Sequence, residues 1–329
     1  MKYALIVPVY NRPDEVGELL ESLTQQTHGD FEVVVVEDGS AITCQSVVEG
    51  YAHRLPISYY VKPNSGPGQT RNYGAARTSA EYLIILDSDV VLPPHFIAAI
   101  DVALSKTPCD AWGGPDKAHP DFTPMQKAIN YAMTSFFTTG GIRGGKQQLD
   151  KFYPRSFNMG IRREVYEVLG GFSPMRFGED IDFSTRIIHS GYCCRLLPTA
   201  WVWHKRRTDL KKFFKQVHCS GMARIDLTLR HPGTLKWVHL LPTAFTLSVV
   251  GLLVLSCFTF WAWLPLGLFV LIIGLDAARV ERSVVVGVLA IAAAFVQLVG
   301  YGSGLLRNWW RRMVCQRPEQ AAFQDTFYD

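Results

Sequence analysis

Asp87 and Asp89, in LDSDV (86–90), have the spacing that points most directly to chemistry. They close YLIIL (82–86), an apolar run of strand length, so two carboxylates meet where such a strand ends. Two neighbouring anions repel unless a cation lies between them, and hard oxygen donors suit Mg2+ or Mn2+. A solvated loop pair is the plainer alternative; placement directly after a buried strand favours the metal. Glu179 and Asp180, in GED (178–180), open a helix, where the dipole favours carboxylates. They read as N-terminal caps or as a base. VVEDGS (35–40) carries an acid and a Gly-Ser turn at another strand end, suited to accepting hydrogen bonds from a base or ribose, though Asp-Gly is also ordinary turn chemistry. SGPGQTRNYGAA (65–76) offers a glycine-rich turn, Arg71 and a helix start. That set suits a phosphate, or close helix packing through Gly74, Ala75 and Ala76.

The elements that must position these residues are legible as alternating periods. Tyr3–Val9 (YALIVPV) and Phe31–Val36 (FEVVVV) are apolar strand-length runs. Between them Val16, Leu19, Leu20 and Leu23 follow helical spacing behind Pro13. Ile57–Val61 and Tyr82–Leu86 read as further strands, and Gly68–Ser79 and Pro94–Ser105 as helices. Strands apolar on both faces and separated by helices predict βαβ units and a buried parallel sheet. Ligands of such a sheet sit beyond the carboxyl ends of its strands. Residues 110–178 are less regular, and GGIRGG (140–145) reads as a loop, a surface excursion or a mobile lid. Helices are expected at Arg162–Leu169 and Asp180–Ser190.

In order along the chain, VPVYNR (7–12), VVEDGS, GPGQTRNYGAA, LDSDV, NMGIRREVYEVLGGF (158–172) and GEDIDFSTRI (178–187) resemble inverting family-2 glycosyltransferases. The resemblance covers about residues 1–220. It implies the GT-A type of α/β fold, a Rossmann-like open sheet with helices on both faces, followed here by an α-helical transmembrane tail. It also implies roles. Asp180 would be the general base with Glu179 beside it. Pro8, Tyr10, Asp38, Arg71, Asp87 and Asn158 would bind a nucleotide-sugar donor (UDP- or GDP-linked), Asp38 at the nucleoside base and Arg71 near the phosphates. Met159 would line the sugar or acceptor pocket with Asn158. Asp87, Asp89 and His204 would hold a divalent metal, Mg2+ or Mn2+. Glu37 stands where a second Asp is frequent. The QxxRW expected of processive synthases is missing, with HKRRT (204–208) in roughly its place, which favours transfer of single sugars.

Hydrophobic residues make up 48% of the 329 and charged residues 19%, too apolar for disorder. The mean hydropathy of +0.08 suggests a soluble part joined to a membrane part. Residues 204–236 carry nine Lys and Arg against two Asp and Glu, a basic belt that masks a net negative charge over residues 1–203. Nothing suggests a nucleic-acid binder, which spreads basic residues over a whole face. Residues 240–275 hold no charge. As one helix they would span about 54 Å, against about 30 Å of hydrocarbon, so a hairpin of two spans is expected. Residues 284–306 supply a third apolar helix, whose crossing stays open because Arg307, Arg311 and Arg312 would then lie opposite the belt. Thr208–Arg230 reads as amphipathic, resting on anionic lipid or packed as a solvated helix on the catalytic domain. The expected domains are 1–207 (catalytic), 208–236 (basic juxtamembrane), 237–306 (two or three membrane helices) and 307–329 (tail). Seven scattered cysteines suggest reduced thiols, and no signal peptide is visible. The whole implies a multi-pass enzyme of the inner (plasma) membrane with a cytoplasmic catalytic domain and a lipid-linked or cell-envelope glycan acceptor. A non-catalytic nucleotide-sugar-binding protein and a processive polysaccharide synthase are the alternatives.

Overall fold

The structure is a computed structural model that describes residues 1–140 and 152–320. In chain order its elements are β1 (Tyr3–Val9), α1 (Pro13–Thr24), β2 (Phe31–Asp38), α2 (Gln45–Tyr51), β3 (Ile57–Lys62), α3 (Pro67–Ala75), β4 (Tyr82–Leu86), β5 (Val90–Val91) and α4 (Phe96–Lys106). There follow β6 (Ala111–Gly113), β7 (Asp116–Lys117), α5 (Pro124–Thr134), α6 (Phe136–Thr139), β8 (Asn158–Arg162), α7 (Arg163–Val168) and α8 (Glu179–His189). The chain continues through β9 (Cys194–Leu196), β10 (Val202–His204), α9 (Leu210–Arg230), α10 (Leu241–Leu255), α11 (Trp263–Glu281) and α12 (Val284–Trp309). Residues 141–145 of GGIRGG lie outside the described residues, as do residues 321–329 of the C-terminal tail.

Two compact units result. Among the described residues, the first takes 1–119 and 152–205, and the second takes 120–140 and 206–319. Residues 120–140 group with the C-terminal helices.

The first unit is built on a seven-stranded sheet of order β3-β2-β1-β4-β8-β6-β9. β1 to β4 are mutually parallel, as the apolar runs predict, whereas β8 is antiparallel to both β4 and β6. Period-2 alternation splits the core. Tyr3, Leu5, Val7, Val33 and Val35 face α1, α2 and α4, burying Val16, Leu20, Val48 and Ile100. Ala4, Ile6, Val34, Val36 and Ile85 face α3, α7 and α8, burying Ala75, Val165, Phe183 and Ile187. At Gly74, a Cβ would come within 2.7 Å of Ile6 Cγ2, so α3 lies on the sheet only as glycine. β2 and β4 flank β1 on opposite sides, so their crossovers diverge and open a crevice at the carboxyl edge of the strands. A second sheet, β5-β10-β7, stands beside it.

In the second unit α12 is the central helix. Ala128, Ile129, Ala132 and Met133 of α5, Phe213 and Val217 of α9, Ile273 and Ala277 of α11, and Val286, Ala290, Ala293 and Ala294 of α12 form one buried cluster. Three helices, Trp237–Leu255, Phe260–Glu281 and Val284–Val314, are long and apolar enough to cross a membrane. Gly300, Gly302 and Gly304 lie inside an unbroken helix and admit its neighbours. A Cβ on Gly304 would collide with the His218 carbonyl of α9, and one on Gly302 with Pro242 and Thr246 of α10. Gly221 of α9 faces the Tyr301 carbonyl in the same way. The apolar stripe of α9 is therefore covered by α12, a packing that neither reading of that helix named. Lys211, Lys212 and Lys215 remain exposed.

Candidate active site

Each strand of the parallel half ends in part of one site. After β4 the chain passes through Asp87, Ser88 and Asp89 into β5, and β5 pairs antiparallel with β10 so that His204 lies opposite Val90. That pairing carries His204 to the two aspartates. One donor atom from each of Asp87, Asp89 and His204 lies within 4.8 Å of the other two. His204 Nε2 is 3.2 Å from Asp89 Oδ1, and its other nitrogen is 3.9 Å from Asp116 Oδ2. Phe157 stacks on the imidazole at 5.0 Å. Asp89 Oδ1 is buried and accepts no hydrogen bond of good geometry. Two carboxylates and an imidazole converging on one point fit, by the chemistry of their donor atoms, a divalent ion of the Mg2+ or Mn2+ type.

Arginines balance these acids. Arg12 Nη1 donates to Asp89 Oδ2 at 2.5 Å. Burial alone would raise the Asp89 pKa, but His204 and Arg12 outweigh it and hold the carboxyl well below its usual range. Arg71, nearly inaccessible, spans two acids: Nη2 donates to Asp87 Oδ1 at 2.8 Å and Nη1 to Glu179 Oε1 at 3.0 Å, with the guanidinium 5.2 Å from the Phe172 ring centroid. Arg155 Nε donates to Asp180 Oδ2 at 2.6 Å. Burial pushes Glu179 up, helped by the charge of Asp180 and opposed by Arg71. Burial works the same way on Asp180, but Arg155 overcomes it and sets that carboxyl low. The two adjacent acids at the start of α8 are driven apart, one toward the proton and one away from it.

The donor-side residues divide. Asp38 is fully buried. Its Oδ1 accepts from Lys62 Nζ at 2.5 Å and from Ser65 N at 2.8 Å, and its Oδ2 from Gly66 N at 2.9 Å. It thereby shapes the turn that starts α3. Glu37 reaches the far side of its own turn, accepting from Ser40 Oγ, from Cys44 N at 2.9 Å and from Tyr59 OH at 3.0 Å. The extra methylene of Glu over Asp provides that reach. Asn11, at φ 53°, accepts from Ala41 N and Ile42 N and so ties the end of β1 to the turn after β2. Pro8 and Tyr10 are half-buried on that same strand end. Asn158 lies opposite Leu86 at the same edge, but its side chain is fully buried and Nδ2 donates to the Ala200 carbonyl at 2.7 Å. Met159 is buried among the α3 and α8 contacts. The structure thus gathers Arg71, Asp87, Asp89, Glu179, Asp180 and His204 and places Asn158 and Met159 within the packing. Arg12 and Arg155 had no role assigned from sequence. Arg12 follows the VPVYN run directly; Arg155 lies in the irregular segment, where periodicity gives no signal.

The family described as Glycosyl transferase family 2 matches residues 4–170. The chain is 37% identical over 101 residues to a validoxylamine A glucosyltransferase of Streptomyces hygroscopicus subsp. jinggangensis, covering 30% of this chain and 24% of that one. In this and other curated relatives the matched stretch is 13–31% of their length. Among solved structures, the mannosyltransferase PcManGT of Pyrobaculum calidifontis, in complex with GDP-Man and Mn2+, superposes with a TM-score of 0.66 at 19% identity. The alignment covers 94% of this chain and 88% of that one. Residues 1–349 of Staphylococcus aureus TarS with UDP-GlcNAc give a TM-score of 0.50 at 18% identity, over 95% and 92% of the chains. These likenesses identify the sheet and its flanking helices as the GT-A fold. With half of its length matched by the family, and that fold around the carboxylate cluster, the chain belongs to glycosyltransferase family 2.

Proposed function

We propose that the protein moves one sugar, with inversion, from a UDP- or GDP-sugar to a lipid-linked or cell-envelope glycan acceptor at the plasma membrane. The observation that carries this reading is the pairing, at one edge of the sheet, of an Asp87–Asp89–His204 cluster with an ionised Asp180 at the head of α8. A divalent ion held by that cluster would neutralise charge on the departing diphosphate. The chain supplies the rest. Asp180 takes the proton from the acceptor hydroxyl. The freed oxygen attacks the anomeric carbon from the face opposite the diphosphate, so the stereocentre inverts and no protein nucleophile is required. Arg71 fixes Asp87 and Glu179 relative to each other, and the turn shaped by Asp38 presents the start of α3 toward the nucleotide. GDP-Man and UDP-GlcNAc in the two solved neighbours support the donor class. The three apolar helices and the exposed lysines of α9 support an anchored enzyme with residues 1–207 in the cytosol and an acceptor reached at the bilayer.

The test is a panel of UDP- and GDP-sugars with the full-length protein in native membranes, read as released nucleoside diphosphate with membrane lipid extract as acceptor. Release that needs both acceptor and Mg2+ or Mn2+ is expected. No release from any donor refutes the transfer, and full activity in EDTA removes the metal.

A further inference from the structure

Residues 154–158 form a short strap that touches both halves of the site. Ser184 of α8 donates to the Pro154 carbonyl at 2.5 Å, Arg155 reaches Asp180, Phe157 stacks on His204, and the Asn158 amide donates to the Arg155 carbonyl at 3.1 Å. We propose that Arg155 is a positioning residue for the transfer step: its guanidinium holds Oδ2 of Asp180 so that an ionised carboxylate stands ready for the acceptor's proton. The proposal rests on the reading of Asp180 as the base.

Asp180 is buried, and Glu179 is its neighbour in sequence. Burial and a second acid both favour protonation, and a protonated carboxyl accepts no proton. Each acid has its own guanidinium, Arg71 on Glu179 and Arg155 on Asp180. The charged groups facing Asp180 are therefore Arg155, Arg71 and Glu179, together with the helix start and the Ile181 amide, which donates to Oδ1 at 2.8 Å. Asp116 acts on Arg155 from β7. Arg71 is committed to Asp87 and Glu179, which leaves Arg155 as the group that decides the charge on Asp180. The Arg155 side chain remains about one-third exposed, and its guanidinium is fixed by the pair with Asp180.

The full-length protein in detergent is compared as wild type, Arg155→Gln, Arg155→Lys, Asp180→Asn and the Arg155→Gln/Asp180→Asn double variant. Infrared differences between proteins with and without Asp180 read that carboxyl directly between about pH 4 and 8. Wild type should show an ionised Asp180. Arg155→Gln should raise its midpoint by about one unit or more, the scale expected when an opposite charge is withdrawn, and Arg155→Lys should restore part of the shift. An unmoved midpoint overturns the proposal. In the kinetic arm, release of UDP from UDP-GlcNAc and of GDP from GDP-mannose should fall in Arg155→Gln. In the Asp180→Asn background the same change should cost nothing further, because the two residues act as one unit. Additive losses, or a loss of UDP and GDP affinity above about tenfold (about 1.4 kcal/mol), would make Arg155 a donor ligand and overturn it too. If Asp180→Asn turns over like wild type, the base reading fails while the infrared result still stands or falls by itself.

Discussion

Replacing Arg71 with Met should produce a stability loss that grows with pH. Met fills the stem and keeps the face of Phe172 covered, but it removes both donors from Asp87 and Glu179. Breaking a buried pair by deleting one partner costs about 3–5 kcal/mol. Asp87 is about one-third exposed, so solvent screens its share, and most of the loss falls on Glu179, whose side chain is 13% exposed. Burial already lifts the Glu179 pKa in the wild type against the pull of Arg71, and without Arg71 it rises further. A folded carboxyl raised above its unfolded value is fully tolerated below the unfolded pKa. It loses stability as pH climbs toward the folded one, at about 1.4 kcal/mol per unit. The gap between wild type and variant should therefore be small near pH 5 and approach about 4 kcal/mol by pH 8. For a unit of this size that is about 8–16 °C in melting midpoint. Tryptophan fluorescence of the full-length protein in detergent reads the transition through Trp112, which is fully buried in the sheet. A gap independent of pH, or below about 1 kcal/mol at pH 8, would refute the account of Arg71 as the counter-charge of Glu179.

Asp89→Ala should abolish the strengthening of UDP or GDP binding by Mn2+ in calorimetry, leaving metal-free binding in place; retention of the Mn2+ effect would remove Asp89 from the metal site. Asp180→Asn should bind UDP and GDP normally and lose at least about 10²-fold in turnover, the scale of a missing general base; unchanged turnover would reduce Asp180 to a helix cap. Gly304→Leu should unseat α9 from α12 through the His218 carbonyl, at about 1–3 kcal/mol, and shorten survival of the folded protein in detergent. Gly251→Leu, which meets only open space, should change nothing, and equal behaviour of the two would contradict the close packing.

β1, β2 and β4 could be read from sequence because burial on both faces leaves an unbroken apolar run. β6, β7, β9 and β10 are two or three residues long and carry no period, so the small sheet that delivers His204 had no local signature. The antiparallel entry of β8 is likewise a matter of long-range pairing. Carboxylates were legible as acids at strand and helix ends, but their counter-charges come from far away: Arg12 lies 77 residues from Asp89, and Arg71 lies 108 from Glu179. Amphipathy in α9 was legible, but an apolar stripe does not say whether lipid or protein covers it. Gly300 and Gly304 of α12 gave the answer only once Val217 and His218 of α9 stood opposite them.

The excursion through α5 bears on how this enzyme can be taken apart. α5 leaves the α/β unit after His119, and its Ala128, Ile129, Ala132 and Met133 are buried by α9, α11 and α12. The Tyr131 hydroxyl donates to Asp276 Oδ2 of α11 at 2.5 Å. A stop codon after Arg207 would strip that helix of every partner in the cluster and leave a bare apolar stripe with an orphaned hydroxyl in the middle of the catalytic chain. Such a fragment should aggregate instead of yielding a soluble enzyme. Grafting the apolar C-terminal helices onto a relative, or removing them, requires two cuts: one at those helices and one that exchanges or shortens the α5 segment. The α/β unit and the apolar C-terminal helices are therefore tied together through α5, and a single cut after residue 207 does not separate them.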